Sequence, residues 1–368
     1  MAEGINLDGL RDEVKQAGAP WEPGETSMTR LPVAEREKRL GFTPPPGEPS
    51  LEELHAALES GSITVEDEPA AAVGAPASFD LRSVSGSNYI TSIKNQGGCG
   101  SCVAFGSTVT VESTASFERR DPSLILDLSE AQLFYCWAKA EGRNCGNGWW
   151  PERALIAYRD KGVTFEDYFP YTAGDQSCNV NADWPNRNAK VSTFQQLTST
   201  AAMKDWISTH GPLAACFIVY NDFFAYTGGI YKHVSGNPVG GHCVAIVGYD
   251  DGGKYWICKN SWGTGWGETG FFKIAYGECG LETWAGPWGA SGIVLTQWLN
   301  NRFVQGAWAH ESQRNAWVYL SGAGWRKLAP TDDDVVLTML ADMLAAKAAS
   351  RPVSVFDQGG TINLAYVL

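Results

Sequence analysis

The run Gln96-Gly97-Gly98-Cys99-Gly100-Ser101-Cys102 turns on its glycines and delivers Cys102 to the start of an apolar stretch, Val103-Ala104-Phe105, that reads as a helix. A thiol at a helix N-terminus feels the positive end of the macrodipole and unpaired backbone N–H groups, and both favour thiolate over thiol. Paired with an imidazolium, such a sulfur is expected to be a nucleophile near neutral or mildly acidic pH. A base of the right type stands in Gly241-His242-Cys243-Val244-Ala245-Ile246-Val247-Gly248-Tyr249, where His242 opens what should be a buried strand at a cleft edge. His210 and His233 lie beside turn residues, and His55 and His310 fall in the flanking segments, so His242 is singled out. Further on, Asn260-Ser261-Trp262-Gly263-Thr264-Gly265-Trp266-Gly267 sets an amide among glycines and tryptophans.

These residues need two kinds of support. Between Ser78 and about Ser291 the first half reads as helices: Cys102 to Arg120, ended by Asp121-Pro122; Ser129 to Ala140; and Pro151 to Lys161, with proline at its start and Gly162 after its end. The second half reads as strands over Leu213 to Tyr220, His242 to Tyr249, Tyr255 to Asn260 and Gly270 to Tyr276, with a turn at Asp250 to Gly253. Residues 1–77 differ in chemistry, with 15 acidic against 6 basic side chains. Within them Ser50 and Glu53 read as a capping box for a short helix carrying Leu51, Leu54 and Leu58, stopped at Gly61. A weak helix is expected over Leu7 to Gln16, a proline-rich stretch at Pro44-Pro45-Pro46-Gly47, and an exposed linker over 66–77. From about 295 to 368 the pattern is strand, helix (Asp332 to Ala349) and two strands, without a catalytic constellation. The expected division is therefore 1–77, 78–294 and 295–368.

Composition removes several functions. A formal charge of -13, from 28 basic and 41 acidic side chains, offers no basic stripe for a phosphate backbone, so no nucleic-acid partner is expected. No apolar run is long enough to cross a bilayer, and the first residues lack the basic-then-apolar pattern of a secretory signal. Nine cysteines argue for an extracellular or other oxidising location, and an odd count leaves at least one thiol unpaired. Cys216, Cys243 and Cys258 read as buried apolar residues, and paired Cys and His spacing for a metal is lacking. Neither metal nor cofactor is expected.

The glutamine, cysteine, histidine and asparagine segments, in this order and with 140 residues from Cys102 to His242, resemble the papain family of cysteine peptidases over roughly Ser78 to Ser291. That resemblance implies an α+β, papain-like fold of two subdomains: a helical left half, an antiparallel β-barrel-like right half and a cleft between them, here with a small α/β C-terminal extension. It implies that Cys102 is the nucleophile, His242 the general base and acid, Asn260 the group whose amide oxygen accepts the histidine ring N–H, and Gln96 an oxyanion donor beside the Cys102 N–H. Trp262 would shield the His242–Asn260 bond. Disulfides Cys99–Cys145 and Cys136–Cys178 are implied, as is an extended substrate pairing at Gly148. Trp149, Trp150, Cys243 and Trp284 would line a shallow pocket that takes small or medium apolar side chains rather than arginine. Val103 replaces the family's usual aromatic residue, and Cys279 lacks its usual partner between 221 and 241.

By position, residues 1–77 correspond to a propeptide, expected to cover the cleft as an intramolecular inhibitor and to be removed near 66–80. Their carboxylates would couple release to acid if they bridged to the core. The expected protein is a monomeric endopeptidase acting on peptides or proteins. A papain-fold peptide ligase and an inactive binding homologue are the alternatives.

Overall fold

The computed structural model describes residues 5–62, 74–310, 315–329 and 332–368. Most of the linker expected over 66–77 lies outside the described residues. Two compact units emerge, one of Met1–Val180 with Val191–Gly292 and one of Asn181–Lys190 with Ile293–Leu368.

The first unit opens with α1 (Leu7–Gln16), whose N-cap Asn6 accepts from the Gly9 N–H at 3.1 Å. β1 (Trp21–Pro23), α2 (Val33–Glu37) and α3 (Leu51–Glu59) follow. The capping box forms as expected: Ser50 Oγ accepts from the Glu53 N–H at 3.2 Å, and the Glu53 carboxylate accepts from the Ser50 N–H at 2.8 Å. α3 buries Leu54 against Gly280, where a β-carbon would stand 2.9 Å from the leucine. After β2 (Ser78–Asp80) comes α4 (Cys102–Glu118), in which every residue but Glu118 is buried. Such a helix has no solvent stripe because neighbours wrap it on all sides.

The helix expected over Ser129 to Ala140 is present, but Gln132–Ala138 widens into a π-helix. α5 (Pro151–Asp160) starts on a proline whose missing N–H would have been unpaired in the first turn anyway. β3 (Val163–Thr164), β4 (Asn188–Gln196) and α6 (Thr200–Thr209) lead into the strand half. There β5 (Leu213–Tyr220), β6 (Tyr226–Tyr231), β7 (Pro238–Asp250), β8 (Tyr255–Lys259) and β9 (Phe271–Ala275) take the order β1-β6-β9-β8-β7-β5. β5 and β7 pair antiparallel with Phe217 opposite His242 and Cys216 opposite Cys243. β6 and β9 depart from the antiparallel expectation and pair parallel through Ile230 and Lys273.

In the second unit, β10 (Trp288–Arg302) contributes from Ile293 onward. β11 (Val304–Ala309), β12 (Ala316–Leu320), β13 (Gly324–Leu328), α7 (Asp333–Ala348), β14 (Val353–Gln358) and β15 (Thr361–Val367) complete it. The strand order is β10-β14-β15-β13-β12-β11. The expectation of strand, helix and two strands omitted β11, β12 and β13. These are short, and β11 and β13 carry glycines that dilute the alternation from which a strand is read. One sheet face buries Val318, Leu320, Leu328 and Val355 against Val336, Met343 and Ala346 of α7.

Candidate active site

Cys102 is the first residue of α4 and is fully buried. Its sulfur meets the backbone N–H groups of Cys243, Gly41 and Val103, which favour thiolate. Burial, with the neighbouring Cys243 thiol adding to it, outweighs them and pushes the Cys102 thiol up to about 12. The sequence argument expected a lowered value, and the difference arises because residues of the N-terminal segment cover the sulfur. His242 is likewise fully buried, and burial pushes its imidazole down to about 4 against the opposing pull of Asn260 and the Arg39 carbonyl. Both shifts hold the covered site in its uncharged form.

His242 Nε2 and Asn260 Oδ1 are 2.8 Å apart, and that oxygen also accepts from the Ser261 N–H at 2.7 Å. This geometry assigns the ring proton to Nε2 and leaves Nδ1 as the basic nitrogen. Nδ1 makes no hydrogen bond of ordinary geometry among the described residues, although the Arg39 carbonyl stands close enough to favour the protonated ring. Trp262 lies over the histidine with ring centroids 4.7 Å apart and is itself buried.

Gln96 is fixed from the strand side. Its N–H donates to the Ser261 carbonyl at 2.9 Å, and Ser261 Oγ donates to Gln96 Oε1 at 2.6 Å. Its Nε2 is then directed at the Cys99 carbonyl (2.8 Å) and the Arg39 carbonyl (2.9 Å). Tyr171 Oη donates to the Gln96 carbonyl at 2.8 Å and lies 2.7 Å from Ser101 Oγ, tying the turn before Cys102 to the helical half. Ser261 and Tyr171 were not singled out from sequence. Ser261 lies inside the Asn260 motif and could have been, whereas nothing local marks Tyr171.

Cys99–Cys145 and Cys136–Cys178 are disulfides, and Cys216, Cys243, Cys258 and Cys279 are buried free thiols like Cys102. Gly148 has φ +58°, and a β-carbon there would overlap the Gly41 carbonyl. Of the expected pocket walls, Trp284 meets the Phe42 ring edge-on at 4.6 Å. Trp149 offers its backbone, while its buried indole donates to Glu141 at 3.0 Å. Trp150 packs beneath the Arg143 guanidinium at 4.6 Å, and Cys243 lies behind Cys102 against Gly106.

The segment 39–43 occupies the space between the halves. The Phe42 N–H donates to the Gly241 carbonyl at 3.0 Å, the Thr43 N–H to the Trp149 carbonyl at 3.0 Å, and the Trp149 N–H to the Gly41 carbonyl at 2.9 Å. A β-carbon at Gly41 would overlap the Gly100 carbonyl, so the slot admits glycine alone. Elsewhere β1 adds to β6 through Trp21 and Gly229, and Thr26 Oγ1 donates to the Phe224 carbonyl at 2.7 Å. Among the described residues the expected acid-labile bridges to the core are not made: the segment's ion pairs, Arg11–Asp8, Arg30–Glu25, Lys38–Glu35 and His55–Glu59, are all internal to it.

The family model "Papain family cysteine protease" matches residues 75–286. A "Gut-specific cysteine proteinase" of Caenorhabditis elegans is 31% identical over 257 residues, spanning 62% of this chain and 78% of that protein. "Cathepsin B-like CP3" of Giardia intestinalis is 34% identical over 245 residues, spanning 63% and 78%. Among solved structures, procathepsin L2 proteinase from the Tenebrio molitor larval midgut has a TM-score of 0.59 at 27% identity, over 78% of this chain and 89% of that one. Procathepsin B S9 from Trypanosoma congolense shares the fold with a TM-score of 0.62 at 24% identity, over 79% and 99%. Matched over more than half its length by the family model, and carrying the cysteine, histidine and asparagine segments in one cleft, this chain belongs to the papain family of cysteine peptidases.

Proposed function

We propose that the protein is a cysteine endopeptidase made as an autoinhibited precursor. The observation that carries the catalytic assignment is the 2.8 Å His242–Asn260 bond beside a cysteine at the start of a buried helix, whose sulfur meets the backbone of the residue after that histidine. Once the cleft is open, Cys102 thiolate attacks the peptide carbonyl, and Gln96 Nε2 and the Cys102 N–H stabilise the oxyanion. His242 gives its proton to the leaving amine, then takes one from the water that hydrolyses the thioester. Asn260 holds the ring tautomer. No step requires a cofactor, and two disulfides fit an oxidising compartment.

Inhibition follows from what the segment occupies. The Arg39 carbonyl takes the Gln96 donor, Gly41 covers the sulfur, and Phe42 fills apolar space against Trp284. Burial then keeps thiol and imidazole neutral. An apolar Phe42 in that space supports a pocket for apolar side chains over arginine at the second residue before the scissile bond. A peptide-library profile dominated by arginine there would overturn that assignment.

Hydrolysis of a fluorogenic dipeptide by the full chain, by a chain lacking residues 1–77 and by Cys102→Ala tests both claims. Turnover confined to the shortened chain with Cys102 is the expected result. Equal turnover at both lengths removes the inhibitory role. Amide-bonded products with added amines, identified by mass, would indicate a ligase, and a folded but silent shortened chain would indicate a binding homologue.

A further inference from the structure

β12 alternates strictly, with Ala316, Val318 and Leu320 buried and Trp317 and Tyr319 on the opposite side. Register extends that opposite side across the sheet: Trp317 faces Trp308 on β11 and Lys327 on β13, and Tyr319 faces Trp325. One face of β11-β12-β13 is therefore core against α7 and the other is aromatic and open to water. Trp308 and Trp325 are each 47% exposed. Trp308, Trp317 and Trp325 line an open depression of about 280 Å³ whose walls are these three residues alone. Three large rings left in water cost solvation free energy that a packed sheet normally avoids, and such clusters mark binding surfaces.

The wall chemistry selects the ligand. A saccharide presents hydroxyls around each ring edge and wants carboxylate or amide partners, and among the described residues none lines the depression. A quaternary ammonium wants negative surroundings, yet the charged residue in register with Trp317 is Lys327. A polyproline II peptide presents apolar ring faces and unpaired carbonyls, and needs aromatic walls with a few donors. Trp317 spends its indole N–H on Asn315 Oδ1 at 2.8 Å. Among the described residues the Trp308 and Trp325 N–H groups meet no acceptor and are free for peptide carbonyls. We propose that the Trp308–Trp317–Trp325 face binds proline-rich peptide segments in the polyproline II conformation, giving the peptidase a second hold on proteins that contain them.

Fluorescein-labelled decaproline titrated with the full-length chain carrying Cys102→Ala, followed by fluorescence anisotropy, tests this. Saturable binding is expected, weakened about tenfold by Trp308→Ala and by Trp325→Ala separately, with Trp325→Phe, which keeps a ring but loses the N–H donor, falling between Trp325→Ala and the parent. Both positions are half-exposed, so unfolding transitions should be unchanged, as should dipeptide hydrolysis by the shortened chain with Cys102 restored. Absence of saturable binding, or binding indifferent to both alanine substitutions, overturns the proposal. Retention on chitin or cellulose beads that the same substitutions abolish, without decaproline binding, would replace it with a saccharide site.

Discussion

The two walls of the cleft are built from opposite materials. The helical wall behind Cys102 is held by covalent and ionic ties: two disulfides, and a cluster around the buried Glu130 in which Lys94 Nζ lies 2.8 Å from Glu130 and 2.7 Å from the exposed Asp127. The strand wall behind His242 is held by rings, with Phe223 meeting Trp262, Trp266 and Phe272 at centroid distances of 5.7, 4.9 and 5.0 Å. The nucleophile's wall answers to charge and redox state, and the base's wall to packing. One wall can therefore be weakened without touching the other.

The largest effect is expected from Lys94→Met. It removes the cation facing the fully buried Glu130, whose carboxyl burial already pushes up, and breaking a buried pair by deleting one partner costs about 3–5 kcal/mol. Urea unfolding of the shortened chain measures it, and a loss under about 1 kcal/mol would mean that the cluster is not what holds this wall. On the other wall Trp266→Ala should cost a similar or slightly smaller amount through the cavity it leaves, about 3–5 kcal/mol, with no sensitivity to reductant.

Asn260→Ala should cost about 1–3 kcal/mol of stability by leaving buried donors of His242 and Ser261 unpaired, and lower kcat of the shortened chain about 10²-fold or more by releasing the histidine tautomer. An unchanged pH–rate profile with unchanged kcat would remove Asn260 from the site. The covered thiol sits above its usual range, so its thiolate fraction rises with pH. Alkylation of the full chain should therefore be slow at pH 7, whereas the shortened chain should react fast already at neutral pH. Gly41→Val, which clashes with Gly100, should weaken the segment's hold by about 1–3 kcal/mol and raise turnover by the uncut chain. Silence of that variant, with the shortened chain active, would show that other contacts hold the segment.

Much of this arrangement is legible in the sequence where local signals agree with tertiary ones. The Ser50–Glu53 box, the start of α4 at Cys102 and the exact span of β5 each rest on residues within a turn or a strand of one another. What cannot be read is what depends on distant burial. Nothing near Cys102 announces that Gly41 will cover it and reverse its pKa shift. Arg39, Gly41 and Phe42 lie in no periodic element, so their grip on both walls stays invisible until the fold brings Trp149 and Gly241 alongside. The acidic count of the N-terminal segment is silent for the same reason, because charge composition does not tell which partner each carboxylate finds.

Phe42 bonds to Gly241 on one wall, and its neighbour Thr43 bonds to Trp149 on the other. On the proposed precursor reading the segment laces the two walls together, and cutting it away removes that lacing along with the block. On this reading the precursor is the storage form and the product has a working lifetime: the event that starts catalysis also lets the walls part more often, exposing loops to the very activity it released.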